Sequence, residues 1–126
     1  MLDGRDLDEA ARLVDDWQAG FEARAAQARA LAARLGALTA TARSDDRLVS
    51  VTVGSTGAIT DLELGEEIRQ RPAAETARAV LAVMRAAQAS LTDAATTVTA
   101  ETVGADSETG RAVIASYVSR QSAPDA

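Results

Sequence analysis

With 126 residues the chain has the length of one domain and room for a modest core. It contains no Cys and no His, which removes disulfides, thiolate nucleophiles, thiolate and imidazole metal sites and imidazole bases together. The net charge is −6 and every one of the 13 cations is arginine. Broad affinity for phosphate backbones is therefore not expected from the total, and the distribution of charge has to decide.

Trp17, Phe21 and Tyr117 are the only aromatic residues, and alanine is abundant. Small side chains bury little area each, at roughly 25 cal/mol per Å². A second copy completing the core, hence a homodimer, is the structural expectation. No apolar window reaches the length of about 18 residues that a membrane span needs. The N-terminus is acidic and lacks an apolar signal segment, so a cytoplasmic location is expected.

Residues 6 to 37 read as one long helix. Leu7, Val14, Phe21, Ala28 and Leu35 recur every seven residues, and Ala10, Trp17, Arg24, Leu31 and Leu38 fill the second heptad position. Asp6 is its expected N-cap, with Glu9 three residues on, and Gly36 its expected C-terminal cap. Leu38 to Arg43 alternates Thr with apolar residues and reads as a first strand. Ser44-Asp45-Asp46 would turn the chain into a second.

The stretch Arg47 to Leu64 is the pivot. Val49, Val51 and Val53 alternate with Ser50 and Thr52, the period-two pattern of a half-buried strand. Gly54-Ser55-Thr56-Gly57 breaks the run with turn residues. Ile59 to Leu64 resumes, with Thr60, Leu62 and Leu64 on one face and Ile59, Asp61 and Glu63 on the other. The result is a three-stranded antiparallel meander.

After the turn Gly65-Glu66-Glu67-Ile68, Pro72 suits the first turn of a second helix. Its apolar stripe reads Ala77, Val80, Leu81, Met84, Ala87, Leu91, Ala94 and Val98, and it should run to about Val103. The Thr-rich end around Thr96, Thr97 and Thr99 is poor helix material and is expected to fray. Gly104 to Ser107 is a break. Ala112 to Val118 suits a short amphipathic helix, and Gln121 to Ala126 a disordered tail. The fold class is therefore α+β: long helix, meander, second long helix, short C-terminal helix or tail. Residues 1–104 form the main domain and 105–126 an extension.

Three features of this order carry a resemblance. They are the hairpin L-V-S-V-T-V-G-S-T-G-A-I-T-D-L-E-L, the acidic turn Glu66-Glu67-Ile68, and R-P-A-A-E-T-A-R-A-V-L-A-V-M-R-A-A. Together they resemble the YbaB/EbfC family of bacterial nucleoid-associated proteins over roughly residues 6 to 103. The resemblance implies a small dimeric protein that binds DNA with limited sequence preference. Trp17-Gln18-Ala19-Gly20 invites comparison with the W-x-G of small secreted helical hairpins. It is one residue too long, it lies inside a helix, and a strand meander does not belong to that fold.

The charges are segregated. Asp8, Asp15 and Glu22 repeat every seven residues, flanked by Glu9 and Asp16, an acidic face that repels phosphate. From Ala23 to Ser44 there are Arg24, Arg29, Arg34 and Arg43 with no acid before Ser44, and from Thr76 to Thr92 Arg78 and Arg85 with none. These six arginines are the expected contacts to duplex DNA, acting by phosphate neutralisation with little base readout. They would share one surface, doubled in a dimer. The alternatives are a solvated face offsetting a helix C-terminal dipole, and for Arg24 a stem buried beside Leu31.

The paired carboxylates Asp15-Asp16, Asp45-Asp46 and Glu66-Glu67 lack a partner base or nucleophile and read as turn and surface residues. The segment Gly104 to Gly110 lacks the G-K-[ST] ending of a phosphate loop and reads as a linker. No enzymatic activity, cofactor or metal is expected. The expected function is non-enzymatic duplex DNA binding, nucleoid-associated or regulatory. The alternative is a protein-interaction or stabilising factor, for example one associated with a secretion operon, docking through Asp8, Asp15 and Glu22.

Overall fold

A computed structural model describes residues 4–122. The valine run folds as its pattern dictates. Val49, Val51 and Val53 are wholly buried, while Ser50 and Thr52 are only half covered. The strands are β1 (Ala40–Arg43), β2 (Val49–Val53) and β3 (Ile59–Leu64), in sheet order β1-β2-β3 and antiparallel throughout. Three α-helices, α1 (Gly4–Gly36), α2 (Ala73–Thr102) and α3 (Glu108–Ser122), complete the order helix, meander, helices. Helix α2 packs across β1 and β2, with α1 and α3 against α2. The opposite sheet face is polar, carrying Thr41 and Thr52, whose hydroxyls meet at 2.7 Å, together with Arg43 and Glu63.

Both turns are built by local hydrogen bonds. In the β1–β2 turn the Ser44 amide donates to the Val49 carbonyl (2.9 Å) and the Arg47 amide to the Ser44 carbonyl (2.9 Å). Arg47 takes a left-handed φ of 64° there. In the β2–β3 turn Gly57 adopts φ 86°, which glycine reaches without steric cost. Its carbonyl accepts from the Gln88 side-chain amide at 3.0 Å, tying the hairpin tip to α2.

A bulge between Thr52 and Val53 changes the expected facing of β3. Val49 pairs with Leu64, Val51 with Leu62, and Val53 with Ile59 rather than with Thr60. The extra residue returns Ile59 to the face of Leu62 and Leu64, so strict alternation misplaces it. The three residues line up beside the buried valines, yet they stay 42%, 43% and 46% exposed. Helix α2 does not cover β3.

The buried core contains Ala40, the three valines, Val83, Ala87, Leu91, Ala95 and Tyr117. The α2 stripe thus differs from its expected register. Leu81 is exposed, and Val83 and Ala95 take the inward positions. Helix α1 starts at Gly4, which places Asp6 inside its first turn rather than ahead of it. Among the described glycines a positive φ occurs at Gly57 and Gly104, so Gly36 ends α1 without a left-handed cap. The Leu38 amide donates to the Leu35 carbonyl (3.1 Å), still within the helix exit, and β1 begins two residues later than expected.

The threonine-rich end of α2 is ordered into the core, not frayed. Thr92, Thr96, Thr99 and Thr102 each donate a hydroxyl to the carbonyl four residues back, at 3.2, 2.9, 2.6 and 2.7 Å. Thr99 is wholly buried. Helix α3 continues through Gln121 to Ser122, beyond the expected short helix. Residues 123–126 of the expected tail lie outside the described residues.

Candidate nucleic-acid interface

One protomer does not gather the six expected arginines on one surface. Arg34 is engaged at the α1–α2 junction. Its Nη2 donates to Glu101 Oε2 at 2.9 Å and its Nη1 to Thr102 Oγ1 at 3.2 Å, an ion pair about half exposed on each side. Arg85 lies 16 positions before Glu101 on α2, about 24 Å along the helix, and Arg78 lies one heptad farther. At about 100° per residue, Arg78 and Arg85 sit some 150° round α2 from the buried stripe Val83, Ala87, Leu91 and Ala95.

Arg43 pairs in register with Ser50, on the sheet face opposite α2. It therefore lies on the other side of the molecule from Arg78 and Arg85. Arg24 and Arg29 are exposed on α1, about 140° apart around its axis.

The structure adds Arg47, which the sequence reading left out. Arg43 and Arg47 line one shallow recess with Ser50 and Glu63. No periodicity marks a turn residue in a left-handed conformation, so nothing in the pattern points to Arg47. Arg71 is neutralised nearby by Asp46, at 2.7 Å. The Asp46 carboxylate also accepts from the Ser44 hydroxyl (2.7 Å) and the Leu48 amide (3.0 Å). These hydrogen bonds, the Ser44 one foremost and with Arg71 adding to them, hold its pKa down at about 2. This end of the sheet mixes both signs and is not a basic patch.

The flank of α2 that carries Gln88 faces the hairpin, because Gln88 reaches Gly57. Leu81 lies on that same flank, seven positions earlier and exposed, and Arg78 and Arg85 are the next residues round the helix. The pair of arginines therefore adjoins the side where β3 lies bare.

Among the described residues no group of three His, Cys, Asp or Glu is arranged to hold a metal ion, and no helix is long and apolar enough to cross a membrane. What the surface offers is guanidinium groups and uncovered apolar strips on a two-layer α+β protomer, the make-up of a small binding protein. The family model of the YbaB/EbfC DNA-binding family matches residues 14–106, well over half of the chain. The chain belongs to that family. Comparison with curated proteins and with solved structures gives no significant match. The matched span ends before α3.

Proposed function

We propose that the chain is a homodimer that binds duplex DNA without enzymatic action and with little base preference, on the nucleoid. The reading rests on one observation beyond family membership. Arg78 and Arg85 are exposed in an acid-free segment and adjoin the bare strip of Ile59, Leu62, Leu64 and Leu81. A second copy seated two-fold on that strip would bury the apolar side chains and double the arginines, setting four guanidinium groups near the axis. Arg24 and Arg29 would add a second, more distant set. Arg34, held by Glu101, and Arg43, on the far face, would contribute less.

Phosphate contacts of this kind give a steep salt dependence, with a slope of about −0.9 per neutralised phosphate. Fluorescence anisotropy on a labelled duplex across a salt series is the test. Arg78→Glu/Arg85→Glu should weaken binding for all sequences alike and reduce the slope by about 3 to 4, the four contacts of a dimer. Loss through Arg24→Glu/Arg29→Glu alone would move the site to α1. No binding by the parent protein at low salt would refute the DNA reading.

A further inference from the structure

A cleft of about 240 Å³ opens where the tip of the β2–β3 hairpin meets α2 and α3. Two contacts between distant parts of the chain hold its walls. Gln88 of α2 donates its side-chain amide to the Gly57 carbonyl at 3.0 Å, and Tyr117 of α3 donates its hydroxyl to the Ser55 carbonyl at 3.3 Å. The wall that α3 supplies lies past residue 106, outside the span that the family model matches. The cleft therefore exists because this chain carries its C-terminal extension.

The lining limits what the cleft can hold. Leu91 and Tyr117 are buried core residues that line it. Thr92, buried beside them, commits its hydroxyl proton to the Gln88 carbonyl at 3.2 Å. These three give an apolar floor. The polar groups stand above it. The Arg120 guanidinium is exposed and lies 4.6 Å over the Tyr117 ring, and the Gln88 amide keeps a second N–H after bonding Gly57.

No carboxylate lines the cleft, on a chain whose net charge is −6. The C-terminal end of α3 brings about half a negative charge, and the full charge of Arg120 outweighs it. One guanidinium fork matches one carboxylate, whereas a doubly charged phosphate calls for more cations than the lining provides. The volume lies below the roughly 300–1,000 Å³ of drug-sized sites, so the occupant is small.

We propose that this cleft binds a small carboxylate with an apolar body. The body would rest on Leu91, Thr92 and Tyr117, and the carboxylate would meet Arg120 at the mouth, within reach of the free N–H of Gln88. The site uses none of the arginines of the DNA reading, and each reading stands or falls without the other.

The probe is hydrocinnamate, titrated into the full, isotope-labelled chain. Proton–nitrogen correlation spectra follow the Gly57 amide, the Gln88 side-chain amide and the Arg120 Nε–H. Saturable shifts centred on these groups are expected, with a Kd of about 1 mM for so small a ligand. Hydrocinnamamide, the same body without the charge, should bind about threefold more weakly, the worth of an exposed ion pair. Arg120→Gln should bring the carboxylate down to the affinity of the amide and leave binding of the amide unchanged, which shows the cleft still formed. Arg120→Lys should keep part of the preference. Acetate, which lacks the apolar body, should not saturate over the same range. The absence of saturable shifts with hydrocinnamate, or equal affinity for it and its amide, would overturn the proposal. So would a preference that survives Arg120→Gln, saturation by acetate, or tighter binding of phenyl phosphate than of hydrocinnamate.

Discussion

Gly110→Ala tests how the C-terminal helix is seated. Gly104 closes α2 with φ 86°, and its carbonyl accepts from Ser107 Oγ at 2.9 Å, while Ser107 Oγ in turn accepts from the Gly110 amide at 2.9 Å. Ser107 is thus the N-cap of α3, folded tightly back on the end of α2. A Cβ at position 110 would lie 2.0 Å from the Gly104 carbonyl oxygen and 2.9 Å from Ser107 Oγ. Relief requires the start of α3 to move by about 1 Å or more, and Tyr117, two turns on, moves with it. Unseating Tyr117 costs about 1.5–3 kcal/mol and a lost cap about 1 kcal/mol, while alanine returns up to about 1 kcal/mol of helix propensity. The expected net destabilisation is about 1.5–3 kcal/mol, or a fall in Tm of roughly 5–15 °C by far-UV circular dichroism. Because the loss acts through Tyr117, a cycle with Tyr117→Ala should be strongly sub-additive. Additive losses, or an unchanged Tm in Gly110→Ala, would refute the reasoning.

Three further outcomes are expected. Asp46 has a lowered folded pKa, so its contribution to stability is intact above its ordinary value of 3.8 and fades as pH falls toward about 2. Asp46→Asn should flatten that part of the acid-unfolding curve, and Ser44→Ala should raise the Asp46 titration midpoint seen by NMR. Leu62→Glu, in the bare strip of β3, should convert the proposed dimer to monomer in light scattering, and a monomeric parent protein would contradict the dimer outright. Val51→Ala removes two methyl groups from a wholly buried site and should cost about 2–3 kcal/mol in urea unfolding, with an unchanged m-value.

The hairpin was legible because period-two alternation and glycine punctuation are local signals, and Val49 to Val53 carry both. The order of elements followed from it. The facing of Ile59 was not legible, since one bulged residue reverses alternation and leaves no mark in the composition. The inward register of α2 was misjudged at Leu81 for a related reason. On an alanine-rich helix several azimuths are apolar enough, and only the sheet selects Val83 and Ala95. Tyr117 looked like part of an extension, but its ring is a core residue that stacks with Arg120 at 4.6 Å and donates its hydroxyl to the Ser55 carbonyl at 3.3 Å. Acid-free segments picked out the arginines, but sequence spacing says nothing about which side of the sheet each occupies. Arg43 and Arg85 belong to opposite sides.

The threonine run of α2 changes how such a segment should be valued. A hydroxyl bonded to its own helix offers nothing outward, so what Thr92 and Thr99 turn to their buried surroundings is a methyl group, much as valine would. A residue class that marks helix ends and turns can in this way line an interior. Substitution to valine at Thr99 should be tolerated there better than substitution to serine, which keeps the hydroxyl and loses the surface that does the packing.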